Sequence, residues 1–313
     1  MGTERKDVIV GGIEAGGTKF VCAVGRGPDD VCKPQNRVEF QTGDDPPSLI
    51  REVIDWFKEK QRLGPLFAIG IASFGPVDLE SSSPNYGRIS LTCPKKSWRN
   101  IDLVGPIRKA FGNIPIGFDT DVNGAALGEF FWGRASRLHD FVYITIGTGI
   151  GGGGMAGGQL LHGLGHPEMG HMHLPRVAGD TFAGVCEYHQ DCWEGLCSGK
   201  AMEQRTGIPA EQLPRDHVAW AYETQYIGFA IANIIFAMAP RRVILGGSVR
   251  KAGLLGEHHF FELVREHVKN VLSGYLVSPS LLGDGLNEYI VPPQLGDDAG
   301  VCGAIALGQC AIT

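Results

Sequence analysis

The chain has 313 residues, 43% of them hydrophobic and 20% charged, with a formal net charge of −6. That length admits two domains or one large one, and the acidic balance without a basic block excludes nucleic acid as an expected partner. The longest apolar run, residues 227–240, is too short to span a bilayer and reads as a buried helix, so no membrane partner is expected.

The opening "MGTERKDVIV" lacks the apolar core of a secretory signal and the Ser or Thr that myristoylation requires. Eight cysteines lie mostly in core-like stretches, as Cys22, Cys302 and Cys310 do. Together these features predict a cytoplasmic protein with free thiols rather than a disulfide framework.

Residues 7–13 and 18–25 read as two strands around a double glycine. In "PPSLIREVIDWFKEKQRL" the prolines suit a helix start, and Ile50, Val53, Ile54 and Phe57 recur at helical spacing. "LFAIGIASFGPVD" predicts a buried strand ending in a Gly-Pro turn. "SPNYGRISLTCPKKSWRNID" has little period and reads as a long surface loop of the kind that carries function. "IPIGFDTDVNGAALGEFFWG" is a strand running into a helix that begins near Asn123. "DFVYITIGTGIGGGGMAGGQLL" is a second strand, glycine turn and strand. Beyond residue 200 the pattern is mainly helical, interrupted by the strand "RRVILGGSV" and closed by a helix from Ala299. The hairpins at 10–24 and 141–161 echo one another, which predicts duplicated halves, each carrying a phosphate-gripping turn.

Glycine accounts for 46 residues, about double the usual ~7%. The clusters at 11–17, 147–158 and 163–170 therefore point to ligand-facing loops. In both hairpins bare backbone N–H groups and a threonine hydroxyl can converge on phosphate oxygens, from Gly16, Gly17, Thr18 and Lys19 and from Gly147, Thr148 and Gly149. The alternative is two tight turns. Neither is a Walker loop, because G-x-x-x-x-G-K-[ST] does not occur. Asp119 and Asp121 fall where a strand ends and a helix begins, the place where open α/β sheets bind ligands. There the helix dipole favours an ionised Asp121, as a base requires; equally, Asp121 could only cap the helix. Cys186, His189 and Cys192 form a C-x2-H-x2-C cluster with the spacing of soft zinc ligands. His171, His173 or Cys197 could complete a closed structural site, the alternative being buried free cysteines.

Taken together, "GGIEAGGTK", "ITIGTGIGGG", "HPEMGHM", "VILGGSV" and "LGDDAGVCGAIALG" resemble, in order and over nearly the whole chain, the ROK family of sugar kinases. Within it the chain is most similar to the bacterial fructokinase branch, through "EAGGTK", "DTDVNGAALGE" and the C-x2-H-x2-C loop. Glucokinases usually read "DIGGTK", "END" and C-x-C there. The resemblance implies an α/β, two-domain hexokinase/actin/Hsp70-like ATPase (ribonuclease H-like) fold with a cleft between domains. The small domain would be residues 1–119 joined by the helix 299–313. The large one would be 120–298, carrying the zinc loop 171–192.

It further implies ATP, magnesium and a structural zinc, with Asp121 taking the proton of a hexose 6-hydroxyl as that oxygen attacks the γ-phosphate. Gly75, Glu168, His171 and Glu194 would bind the sugar. His171 would also be the fourth zinc ligand, beside Cys186, His189 and Cys192. Gly246, Gly247 and Ser248 would lie at the nucleotide. Glu14 stands where the family has an Asp near magnesium, which it would meet directly or through water. Thr120 stands where the family has an Asn that touches the sugar. The loop around Thr92, Pro94 and Lys95 would close over the hexose. D-fructose, giving fructose 6-phosphate, is the expected substrate, with mannose or glucose as alternatives, and the resemblance leaves room for a homodimer. A sugar-sensing regulator or repressor of the same family is the contrasting expectation. Only about a dozen residues precede the first phosphate loop, where a repressor carries its helix-turn-helix.

Overall fold

A computed structural model describes residues 8–62 and 64–312. The expected strand start at Asp7, the helix end at Leu63, the terminal Thr313 and most of the opening polar stretch lie outside the described residues. Two compact units are present. The first comprises, among the described residues, 8–137, 160–166 and 294–312; the second comprises 138–159 and 167–293.

The first unit is built on a mixed five-stranded sheet. β1 (Val10–Ala15) pairs antiparallel with β2 (Lys19–Gly25), with Ile13 opposite Cys22. A short helix α1 (Pro28–Val31) leads to β3 (Arg37–Gln41), an edge strand whose Arg37 and Glu39 keep it polar. α2 (Pro46–Gln61) starts with proline and is capped by the Asp45 carboxylate, which accepts from the Ser48 N–H at 3.1 Å. Its apolar stripe of Leu49, Ile50, Val53 and Phe57 is buried. β4 (Ile69–Ser73) is wholly buried and parallel to β1, as a continuous apolar strand should be. α3 (Val104–Phe111) returns to β5 (Ile116–Thr120), parallel to β4, and β5 runs directly into α4 (Asp121–Trp132). The sheet order is β3-β2-β1-β4-β5.

The second unit repeats this plan. β6 (Phe141–Ile146) and β7 (Ile150–Ala156) are antiparallel, and β8 (Gln159–Leu160) is the edge. The helices α5 (Trp193–Cys197), α6 (Gly199–Thr206) and the mostly buried α7 (Ala219–Met238) follow. β9 (Val243–Gly246) is parallel to β6, and beyond α8 (Glu257–Leu272) and α9 (Gly285–Tyr289) comes β10 (Ile290–Val291), parallel to β9. The order β10-β9-β6-β7-β8 is the first sheet's order written from its other end. In each sheet the first strand is central, antiparallel to the second and parallel to the fourth, so the echo between the hairpins reflects a duplicated topology.

α10 (Ala299–Ala311) returns to the first unit and lies on β4 and α4. The backbones approach so closely that a Cβ on Gly70 would overlap the Ala304 carbonyl, and one on Gly303 would overlap the Gly124 carbonyl. Buried Glu129 fastens the same junction: its carboxylate accepts from the Leu295 N–H at 2.8 Å and the Arg134 N–H at 2.6 Å. These contacts move two sequence-based boundaries. The units divide after Arg137 rather than after residue 119, because α4 packs on α10. Residues 294–298 also join the first unit, where Asp298 accepts from the Arg37 guanidinium at 2.7 Å. The apolar run at 227–240 falls in α7, and no helix among the described residues is long and apolar enough to cross a membrane. None of the eight cysteines is joined in a disulfide.

Candidate functional site

In the first unit the β1–β2 turn is tight. The Gly16 N–H donates to the Lys19 carbonyl at 3.0 Å, and the Thr42 hydroxyl donates to the Gly16 carbonyl at 2.7 Å. A Cβ at Gly16 would sit 2.7 Å from the Lys19 carbonyl oxygen, whereas the space beside Gly17 is open. Gly17, Thr18 and Lys19 are exposed, and the Lys19 ammonium rests on the Glu39 carboxylate at 2.9 Å. Glu14, at the end of the buried strand, lies against the first turn of α10, where a Cβ on Gly300 would overlap its carboxyl. Burial raises its pKa to about 7, with the charge of Asp121 adding to the shift.

Asp121 is the first residue of α4, and it does not cap the helix. Thr120 does: its hydroxyl accepts from the Asn123 N–H at 3.1 Å. That settles one alternative and leaves the Asp121 carboxylate held by backbone N–H groups, its own and that of Val122, the latter at 2.9 Å. Burial outweighs the dipole and pushes its pKa up to about 6, which still leaves it ionised at neutral pH. Thr120 is itself buried and committed to the cap. Gly75 opens the turn after β4, beside the His166 imidazole, which accepts from the Val77 N–H at 3.1 Å. The long loop is anchored by buried Cys93 and Trp98, the indole N–H of Trp98 donating to the Gly43 carbonyl at 3.1 Å, while Thr92 and Pro94 are exposed. Lys95 sits 3.7 Å from Asp44.

In the second unit two turns lie side by side at the carboxyl ends of the parallel strands β6 and β9, where α/β sheets place ligands. Gly147 N–H donates to the Gly149 carbonyl at 2.9 Å, and the Gly147 carbonyl accepts from the Gly199 N–H at the start of α6 at 2.6 Å. Gly247 has φ 85°, and a Cβ there would overlap the Ile146 carbonyl, so only glycine fits the second turn. The Ser248 hydroxyl is 3.9 Å from where a Gly147 Cβ would stand. Glu194, in the first turn of α5, accepts from the Ile150 N–H at 2.8 Å and so buttresses the end of the 147–149 turn.

The structure brings together His171, Cys186, His189 and Cys192, whose donor atoms all lie within 4.8 Å of one another. His171 Nδ1 is 3.5 Å from Cys192 Sγ and 3.8 Å from Cys186 Sγ, and His189 Nδ1 is 3.7 Å from Cys186 Sγ. Tetrahedral zinc with S and N ligands sets neighbouring donors roughly 3.3–3.8 Å apart, so the set fits a metal of that kind. Among the candidates for the fourth position, His171 converges with the other three; Cys197 is buried near Glu223, and His173 packs its ring 5.7 Å from that of His189. Glu168, exposed, starts the short turn that carries His171, its carbonyl accepting from the His171 N–H at 3.0 Å. Sequence reasoning missed His162, which bonds Asp119, because a histidine in a glycine-rich loop carries no local signal of a partner 43 residues away.

Known proteins bear on this arrangement. A fructokinase of Lactococcus lactis subsp. cremoris is 40% identical over 96% of each chain, and one of Pediococcus pentosaceus is 39% identical over 97% of this chain and 99% of its own. The crystal structure of a ROK hexokinase from Thermus thermophilus superposes with a TM-score of 0.74 and 25% identity, covering 97% of this chain and 98% of the other. The duplicated α/β units are therefore a shared architecture as well as an internal one. The ROK family model matches residues 10–310, all but the ends of the sequence, and the chain belongs to the ROK family.

Proposed function

We propose that this protein is an ATP-dependent kinase that transfers the γ-phosphoryl group to the 6-hydroxyl of D-fructose, releasing ADP and fructose 6-phosphate. The observation that carries the reading is Asp121: a carboxylate at the carboxyl end of a parallel strand, released from capping by Thr120 and open to take a proton. Full-length relatives named fructokinase, at 39% and 40% identity, support the substrate. Asp121 accepts the proton of the 6-hydroxyl while that oxygen bonds to the γ-phosphorus and the bond to the ADP oxygen breaks. Gly16, Gly17, Thr18 and Lys19, with Gly147, Thr148 and Gly149, hold phosphate oxygens; Gly246, Gly247 and Ser248 receive the nucleotide. Gly75, Glu168, His171 and Glu194 hold sugar hydroxyls, and the loop at Thr92, Pro94 and Lys95 covers the sugar. Alignment and charge neutralisation supply most of the catalysis in such transfers.

A divalent cation suits the acid at Glu14, whose desolvated carboxyl gains from a positive partner, and magnesium there would neutralise phosphate charge. Zinc suits the two thiols and two imidazoles near His171 and would hold the 171–192 loop in shape. A cytoplasmic location and a homodimer complete the proposal.

The test is steady-state kinetics with fructose, mannose, glucose and N-acetylmannosamine. Fructose should give the highest kcat/KM, with mannose and glucose weaker, because a polar pocket rejects a missing hydroxyl more sharply than a rearranged one. A clear preference for glucose would overturn the fructose assignment, and no ATP turnover with any hexose would overturn the kinase.

The pH dependence has a definite sign. A base works only when deprotonated, and kcat/KM reports the free enzyme's ionisation. Since burial holds Asp121 at about 6, kcat/KM at saturating magnesium should fall by about tenfold per pH unit below that value. A profile flat down to pH ~5 would contradict the assignment of the base.

A further inference from the structure

The Asp121 carboxylate has no side-chain partner among the hydrogen bonds of the first unit, so its direction depends on how the backbone of residues 119–123 is held. That turn is fastened by a polar cluster that is buried at Asp119, Thr120 and Asn123 and exposed at His162. The side chain of Asp119, next to last in β5 and 2% exposed, gathers three donors. Oδ1 accepts from the Thr120 N–H at 2.7 Å and from Asn123 Nδ2 at 2.9 Å, and Oδ2 lies 2.8 Å from His162 Nε2. A carboxylate only accepts, so in this contact Nε2 carries the proton, with Asn123 Nδ2 3.3 Å from the same nitrogen. Asn123, fully buried, also reaches the Leu161 carbonyl at 3.4 Å. Two of the four links thus lie within the turn or the first turn of α4, and two, to the Leu161 carbonyl and to His162, reach a segment remote in sequence. Leu161 and His162 both come from residues 160–166, which belong to the same unit.

That segment is fixed in its own right. The His166 imidazole accepts from the Val77 N–H at 3.1 Å, and the Gly163 N–H closes on the Gly165 carbonyl at 2.8 Å. The segment is therefore tied to the first unit at His166 as well as at His162. Asp119 in turn holds the His162 pKa above its ordinary value, which strengthens the bond as a charge-assisted one.

We propose that His162 is a positioning residue for phosphoryl transfer: by donating from Nε2 to Asp119 it fixes the β5–α4 turn that aims Asp121. This rests on the kinase reading above. Without the donor, Oδ2 of a buried carboxylate loses its partner, and the turn relaxes to find another. Misplacement of a base by a fraction of an ångström to 1 Å lowers the chemical step while leaving substrate binding nearly intact.

The experiment compares His162→Leu, which removes the donor, with His162→Gln, whose amide nitrogen reaches the place of Nε2. Hydrogen exchange of amides 119–124 and steady-state kinetics are read on each full-length protein. In His162→Leu, exchange at those amides should quicken by about tenfold and kcat should fall by about 10- to 100-fold, with KM for ATP within about twofold. His162→Gln should restore both to within about threefold of the wild type. Should His162→Leu not fold, His162→Asn, too short to reach Asp119, takes its place with the same expectations. Unchanged exchange and kcat in the donor-less variant would overturn the proposal, and so would a His162→Gln protein as impaired as His162→Leu. A wild-type protein that turns over no hexose would sink the kinase reading alone, because the exchange comparison still judges whether His162 holds the turn.

Discussion

Asp121→Asn is expected to lower kcat by about 10²- to 10⁴-fold, the range that loss of a general base produces. The substitution keeps the size and nearly the shape of the side chain, and it leaves the Val122 N–H an oxygen to donate to. It does not disturb the cap, which belongs to Thr120. What it removes is the only group at that position able to accept a proton from the attacking hydroxyl. Binding should therefore persist: KM for ATP and for the sugar should stay within about threefold, so that kcat and kcat/KM fall together. The folded protein should if anything gain stability above pH ~6, because Asn needs no ionised form desolvated. The sign follows from the raised pKa of Asp121: a carboxyl held at about 6 when folded stabilises the fold below its ordinary value of 3.8, and that contribution is lost as pH rises through 6. Near-normal turnover in Asp121→Asn would remove the assignment of the base. A Tm lowered by the substitution would show instead that the carboxylate serves the fold.

Much of this site was readable because the chemistry needs residue types that stand out from packing. Double glycines interrupting a strand, a histidine between two cysteines at fixed spacing and an aspartate at a strand end each break an apolar pattern; the first and last lie at strand termini of the first unit, and the thiols and imidazoles converge within the second. The duplicated topology was legible for a related reason: two hairpins with matching turns reflect the same sheet order twice. The boundary between units was not. The sequence break at residue 119 is local, whereas membership of α4 is decided by its packing on a helix nearly 180 residues later in the chain, through glycines whose role is to have no side chain. The raised pKa of Asp121 was not legible because a helix start is visible in sequence and desolvation is not. His162 was invisible for the same cause, since its partner is supplied entirely by tertiary folding.

Loss of the metal site is the other large effect expected. Freshly purified protein kept from chelators should contain about one zinc per chain, and Cys186→Ser and Cys192→Ser should each abolish it, because a thiolate is replaced by a poor ligand. His173→Gln should retain the metal, since that ring meets His189 edge to face without joining the four converging donors. The consequence should reach beyond stability. His171 closes the short turn that begins at Glu168, so a metal held by His171 would also fix the backbone that presents Glu168. Groups that orient a site through a bound metal typically account for about 10- to 100-fold in affinity or activity. The cysteine variants should accordingly show a KM for fructose raised by about that factor, alongside a lower Tm, while KM for ATP changes little. Zinc-free protein with an unaltered KM for the sugar would confine the metal to a structural role. Metal analysis finding no zinc in wild-type protein would refute the site itself, for two thiols and two imidazoles drawn within 4.8 Å would then have to be explained without an ion.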